Sequence, residues 1–266
     1  WHTMHVSCID SPRVADDFVD DMKRRFGEDS PAYFVRVLGS FPPAEEDTVI
    51  PVFLIEHAFN NAIKVHEDTI AVWGLDVARQ GGDSSVLCKR QGPMIHPLTV
   101  WRNLDLMQLS GAVKAEYDNM PPSRRPAEII IDSNGFGAGV LDRLRELGLP
   151  ARGLNVSERA VAKQTYLNLR AELWFKCKAW LEGMDVSLPK DDALYAELAG
   201  PRYMFTSSGK IQVESKESMK KRGIRSPDRA DALCLALAND HTTMAFGVAS
   251  AGSWAKPLKR NIRGVV

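Results

Sequence analysis

Two apolar runs in this chain end in a carboxylate. Ile70-Ala71-Val72-Trp73-Gly74-Leu75 leads into Asp76, and Ile129-Ile130-Ile131 leads into Asp132. Runs this short and this rich in branched residues read as strands of a buried sheet. An ionised side chain beside such a core is costly to desolvate, so it demands a partner, either a basic residue or a bound cation. A third acidic site lies far along the chain, where Ser226-Pro227-Asp228-Arg229-Ala230-Asp231-Ala232-Leu233 carries the signals of a helix start, with Ser226 as N-cap and Pro227 at the first helical position. If the fold brings Asp76, Asp132 and Asp228 together, they form an oxygen-only site suited to magnesium or manganese and unsuited to zinc.

The flanking pattern supports such a fold. Strands are expected at 70–79, 85–89 and 98–104, the first two joined by the turn residues Gln80-Gly81-Gly82-Asp83. A helix through Leu106, Leu109, Val113 and Tyr117 ends at Pro121-Pro122. A strand at 127–132, a helix at 139–147 stopped by Gly148, and a strand at 151–156 follow. Leu169, Leu173, Cys177, Trp180, Leu181 and Met184 place an apolar face on a helix over 166–184. Beyond it come a helix at 191–198, a hairpin through 203–205 and 211–213, and a last helix from Pro227 to about Asp240. Strands alternating with helices predict an α/β domain, a mixed β-sheet with helices on both faces.

The first forty residues read as a helix with Val14, Phe18, Met22 and Phe26 on one side, stopped by Gly27, and a second short helix is expected near 55–62. Phe41-Pro42-Pro43-Ala44-Glu45-Glu46-Asp47 breaks periodicity as a linker. The last 25 residues, rich in small residues with Lys256, Lys259, Arg260 and Arg263, read as a tail. The expected organisation is therefore 1–45 as an end piece and linker, 46–241 as the main domain, and 242–266 as a flexible basic tail.

Charge is balanced overall, but residues 1–47 hold ten acidic against five basic side chains, leaving the rest of the chain at plus five. Lys216, Lys220, Lys221, Arg222 and Arg225 cluster just before the late aspartates, where cations would track a phosphate backbone or form a solvated face. Cys8, Cys88, Cys177 and Cys234 are scattered singly, which suits buried thiols and not a zinc or redox centre. No apolar stretch is long enough to cross a bilayer. The opening Trp1-His2-Thr3-Met4 fits a piece of a longer protein.

Four segments carry a family resemblance: Gly74-Leu75-Asp76-Val77-Ala78 with Gly82-Asp83-Ser84; Ile131-Asp132 with Gly135-Phe136-Gly137-Ala138-Gly139-Val140; Asn168-Leu169-Arg170-Ala171-Glu172-Leu173-Trp174; and Ser226 to Leu233. With the order of elements, they resemble the RNase H-like C-terminal nuclease domain of a tailed-phage or prophage terminase large subunit. The stretch from Glu28 to Phe41 is similar to the end of the ATPase domain that precedes it. No G-x-x-x-x-G-K-[ST] loop occurs, so the ATPase motor itself is absent from this piece.

The resemblance implies an endonuclease that cuts concatemeric double-stranded DNA during packaging by two-metal phosphodiester hydrolysis with Mg2+ or Mn2+. It also implies the ATPase domain, the small terminase subunit and the portal as partners, and the host cytoplasm as location. Asp76 is then the bridging ligand, Asp132 and Asp228 bind one ion each, and Asp231, one turn beyond Asp228, is a supporting residue, although either late aspartate can serve as ligand. Lys216, Lys220, Lys221, Arg222 and Arg225 would meet DNA.

Plainer readings stand beside these. Asp76 can pair with Arg79, Asp228 can cap its helix, Asp83 fits a turn, and the glycines of 135–139 can serve a tight strand-to-helix turn instead of a phosphate. A resolvase- or transposase-like nuclease and a non-catalytic docking module of the motor remain the alternatives.

Overall fold

In the computed structural model of this chain, residues 6–26, 28, 33–40, 47–78 and 83–238 are described. The opening residues 1–5, the expected stop Gly27, residues 41–46 of the expected linker, Arg79, the turn residues 80–82 and the C-terminal tail lie outside them.

The chain builds one mixed sheet. Strand β1 (Ala71–Asp76) pairs antiparallel with β2 (Ser85–Gln91) and parallel with β5 (Glu128–Asp132), which pairs parallel with β6 (Ala151–Leu154). Two short strands, β3 (Met94–Ile95) and β4 (Thr99–Trp101), add to the outer edge of β2. The strand order is β3-β2-β1-β5-β6, with β4 also on β2. Antiparallel neighbours join by short turns, whereas the parallel pairs need helical crossovers.

Those crossovers cover one face. α3 (Leu106–Asp118) leads into β5 and α4 (Phe136–Glu146) into β6. They pack on Trp73, Leu75, Leu87, Ile129 and Ile131. The alternate residues Val72, Val86, Cys88 and Ile130 point to the other face. That face is covered by α2 (Val52–Asn60), α5 (Leu169–Glu182), α6 (Asp192–Ala199) and α8 (Asp228–Ala236). Both faces being buried explains why the strands read as continuous apolar runs.

Helix α8 lies directly across β1. A methyl on Gly74 would sit 2.2 Å from the Ala232 carbonyl oxygen and 2.4 Å from the Ala236 amide nitrogen, so only glycine admits the helix this close. A small ribbon of β7 (Tyr203–Phe205) and β8 (Ile211–Val213) stands apart, and α1 (Asp16–Phe26) with a π-helical turn at Phe34–Leu38 forms a minor cluster against Phe205.

Several expectations are adjusted. α5 is buried on more than one face: Ala171, Trp174 and Phe175 lie inside along with the expected Leu173, Cys177 and Leu181. A short helix α7 (Lys216–Lys221), capped by Ser215, occupies the basic cluster. At the start of α8, Pro227 is the N-cap, and the Ser226 hydroxyl donates to Asp228 instead of capping the backbone. The helix ends at Ala236.

Candidate metal centre

Side-chain alternation sets the site. Val72, Gly74 and Asp76 share one face of β1, and Ile130 and Asp132 share that same face of β5. Both carboxylates therefore project from the C-terminal ends of neighbouring parallel strands towards α8 and α5. The first turn of α8 supplies Asp228 and Asp231. Asp76, Asp132 and Asp231 line one pocket of about 60 Å3 together with Val156, Arg170, Trp174, Lys216 and Cys234.

At the centre of this arrangement is an ammonium group. Lys216 Nζ lies 3.1 Å from Asp231 Oδ2, 3.6 Å from Asp228 Oδ1 and 3.8 Å from Asp76 Oδ2. The two late aspartates are held differently. Asp228 is buried, and both its oxygens accept hydrogen bonds, Oδ2 from the Ser84 amide at 2.9 Å and Oδ1 from the Ser226 hydroxyl at 2.5 Å. In Asp231, Oδ1 accepts from the Trp174 indole N–H at 2.9 Å and faces Arg170 at 3.5 Å, while Oδ2 faces Lys216.

The electrostatics record an excess of negative charge. Burial, reinforced by Asp231, Asp228 and Asp132, pushes the Asp76 carboxyl up to about 8 against the opposing pull of Lys216. Burial also raises Asp132, partly offset by amide hydrogen bonds from Asn134 and Val156. Burial works against ionisation of Asp231 too, but Arg170 and Lys216, with hydrogen bonds from Lys216 and Trp174, hold it below the ordinary range. Lys216 resists the desolvation that would lower it, because Asp76, Asp231 and Asp228 keep it well above the usual ammonium range. Lys216 and Arg170 thus serve a cluster of four carboxylates, in which burial and mutual repulsion disfavour ionisation of Asp76.

As it stands, no group of three or more His, Cys, Asp or Glu among the described residues closes on a single ion position. The donor chemistry fits a hard divalent cation, since every candidate ligand is a carboxylate oxygen. The spacing is that of a site occupied by a half-exposed lysine.

The other sequence candidates are placed as follows. Asp83 is exposed beside Ser84, and Gly135, at φ +58°, heads α4 without a side-chain cap. A methyl on Gly137 would meet the Asp132 carbonyl oxygen at 1.7 Å, so this glycine serves the tight turn between β5 and α4. Trp73 is in the core and Trp101 is packed against it. In the basic cluster, Lys216 faces the carboxylates, and Arg222 donates through Nε to Glu214 at 2.9 Å and also binds the Gly200 carbonyl. Lys220, Lys221 and Arg225 are exposed.

Sequence reasoning assigned the aromatics of α5 to packing and gave Arg170 no role. The detectable signal was their spacing: Arg170 and Trp174 lie four residues apart on one helix face, and both reach Asp231.

No family model matches the chain. It is 25% identical over 244 residues to a probable terminase large subunit of Enterobacteria phage P7, an alignment covering 86% of this chain and 49% of that protein. The chain thus spans about half the length of the curated relative it matches.

Among solved structures it is similar to a lysine-to-alanine mutant of the nuclease domain of the large terminase subunit gp2 of bacterial virus Sf6 with manganese and beta-thujaplicinol. The TM-score is 0.62 at 19% identity, over 72% of this chain and 99% of that one. The large terminase nuclease of thermophilic phage G20c with bound magnesium matches with a TM-score of 0.56 at 19% identity, over 74% and 99% of the two chains. In sequence the chain is similar to a phage terminase large subunit, and its fold is that of the phage large-terminase nuclease domains.

Proposed function

We propose that this chain is a metal-dependent endonuclease domain of a DNA-packaging terminase large subunit, cutting double-stranded DNA in the host cytoplasm. The observation that carries the reading is the convergence of Asp76, Asp132, Asp228 and Asp231 at the ends of two parallel strands, with Lys216 as the near counter-cation. Burial and the neighbouring carboxylates raise Asp76 to about 8, the kind of shift that clusters at functional sites.

Asp76, Asp132 and Asp231 would hold magnesium or manganese. Asp231 is preferred to Asp228 as the third ligand because each Asp228 oxygen already accepts a hydrogen bond, from Ser84 or Ser226, whereas Asp231 Oδ2 meets only Lys216. The chemistry such ions supply is neutralisation of charge on the attacking and leaving oxygens of an in-line displacement.

The chain's own groups do the rest. Trp174 and Arg170 fix the orientation of Asp231, Asn134 and Val156 amides fix Asp132, and Asp228 ties the start of α8 to the Ser84 amide. Lys216, displaced from the carboxylates, is placed to meet a phosphate oxygen. The matched nuclease domains, described with manganese and with magnesium, support this metal choice. The ATPase domain, small subunit and portal are proposed partners of the full-length protein.

Plasmid cleavage in manganese, compared with chelator and with Asp76→Asn, tests the reading. Metal-dependent nicking lost in the variant supports it, and equal nicking by both proteins rejects it. A docking module would bind motor components with no cleavage under any metal. Against a resolvase- or transposase-like enzyme stands the relationship to a terminase large subunit over most of the chain.

A further inference from the structure

The connection from β6 to α5 is long and rigidly pinned. It begins at the site, because Leu154 pairs with Asp132 and Val156 lines the carboxylate pocket. Asn134 Nδ2 donates to the Ser157 hydroxyl at 3.2 Å, and the Leu169 and Arg170 amides donate to the Glu158 and Val156 carbonyls, each at 2.9 Å. At its apex the Glu172 carboxylate reaches back from α5 and accepts the Val161 amide at 2.6 Å and the Ala162 amide at 3.4 Å. Ala160 is buried beneath.

This framework holds three side chains outward. Val161 is 82% exposed, and Arg159 and Lys163 on either side of it are exposed, with no ion pair among the described residues. An exposed aliphatic apex thus stands between two unpaired cations, on a loop held by the Glu172 carboxylate. The neighbouring carboxylates repel a phosphate backbone, and Arg222 is engaged with Glu214, so cations at the rim favour a strand held there.

We propose that Arg159 and Lys163 grip the backbone of double-stranded DNA next to the reacting phosphodiester, with Val161 against the sugars between them. This rests on the nuclease reading above and adds a substrate-holding element to it. Two phosphate contacts contribute about 1.8 to the slope of log affinity against log salt.

The test compares the 266-residue chain with its Arg159→Ala/Lys163→Ala variant on a short labelled duplex, by fluorescence anisotropy in calcium across about 50 to 200 mM salt. Manganese affinity by calorimetry and plasmid nicking in manganese are measured on both proteins. The expected result is a slope shallower by about 1.8, so that the variant's loss of affinity over that salt range is about tenfold smaller, with manganese affinity unchanged.

An unchanged slope in a variant whose parent binds and nicks DNA overturns the loop assignment and leaves the nuclease reading intact. A slope change accompanied by weakened manganese binding also overturns it, since the loop would then act through the carboxylates. If the parent neither nicks nor binds DNA, the nuclease reading falls and the loop assignment with it. A protein ligand for the loop would appear as normal DNA binding in the variant.

Discussion

Lys216 Nζ stands 3.1 Å from Asp231 Oδ2, among the carboxylates proposed to hold a divalent ion. Its side chain enters from the first turn of α7, and that of Asp231 from the first turn of α8, so two helix starts meet over the strand ends. The ammonium faces Asp76, Asp228 and Asp231, the oxygens an ion there would share. The lysine therefore competes with metal, and its removal is expected to tighten manganese binding by about tenfold while weakening catalysis. Calorimetry on Lys216→Ala checks the first half and plasmid nicking the second; weaker manganese binding in the variant would show that Lys216 supports the ligands instead of displacing the ion.

Asp76→Asn separates catalysis from stability. Cleavage is expected to fall by more than about a hundredfold, beyond what loss of a merely supporting group costs. In chelator the stability effect runs the other way. Burial raises Asp76 to about 8, so the folded state favours its protonated form. The stability this confers is fully present below about pH 4, the unfolded carboxylate value, and is lost as pH rises through about 8. The asparagine variant removes that dependence, so its melting temperature in chelator should exceed that of the parent by a margin that widens from pH 5 to pH 8. Thermal melts across pH decide it, and a constant difference would mean that Asp76 is not the titrating group.

Gly74→Ala probes the contact that carries the late aspartates to the strands. The added methyl meets backbone atoms of Ala232 and Ala236 at 2.2 and 2.4 Å, and backbone cannot rotate away as a side chain can. The expected cost is about 3 kcal/mol, at the upper end for overpacking, together with weakened metal binding as α8 shifts. Urea unfolding and calorimetry on the same sample measure both, and a variant as stable as its parent would show that α8 does not lie this close to β1.

How far the site could be read from residues alone follows from the range of each interaction. Asp76 and Asp132 stood out because an acid at the end of an apolar strand is a local anomaly, and alternation then fixed the face they share. The sheet was legible for the same reason, since burial on both faces leaves uninterrupted apolar runs. What was hidden depends on pairing across long separations. Trp174 looks like any core aromatic until its indole N–H is found on Asp231, 57 residues away. Lys216 and Arg222 looked like members of one solvated stripe, and only the folded chain shows one facing carboxylates and the other on Glu214. Helix α7 was missed although Ser215 and Gly223 bracket it, because its six residues contribute a single buried side chain, Met219, and hence no periodicity.

The basic stripe now divides into two kinds of residue. Neutralising Lys220 and Lys221 together is expected to lower the salt dependence of DNA binding by up to about 1.8 and to leave stability unchanged, as both are exposed. Arg222→Ala instead strands the buried Glu214, which its guanidinium holds below the usual carboxylate range, at an expected cost of about 1 to 3 kcal/mol. Since the Glu214 shift is downward, that pairing stabilises the fold above about pH 4 and fades as pH falls below it. Denaturation of each variant near pH 7 and near pH 3 should show the Arg222 difference only at the higher value.

Asp228 and Asp231 offer the finest distinction, because they share a helix face and both approach Lys216. Sequence reasoning favoured Asp228 as ligand, on the ground that the first helical residue projects towards the strand ends. The hydrogen bonds argue for the opposite division. Asp228 accepts from the Ser84 amide and the Ser226 hydroxyl, which occupies both oxygens and anchors the start of α8 to the head of β2. Asp231 keeps Oδ2 for a cation and is steadied on its other oxygen by Trp174. Asp231→Asn should therefore reduce manganese affinity by more than about a hundredfold, and should lower stability too, because Arg170 and Lys216 lose the carboxylate they hold ionised. Asp228→Asn should reduce it by only about tenfold and should lower stability by about 1 to 3 kcal/mol, because a buried anchor is weakened. Calorimetry and melts on the two variants give four numbers. A manganese-soaked crystal gives the ligand directly, with anomalous density within about 2.5 Å of Asp228 oxygens and not of Asp231 reversing the assignment.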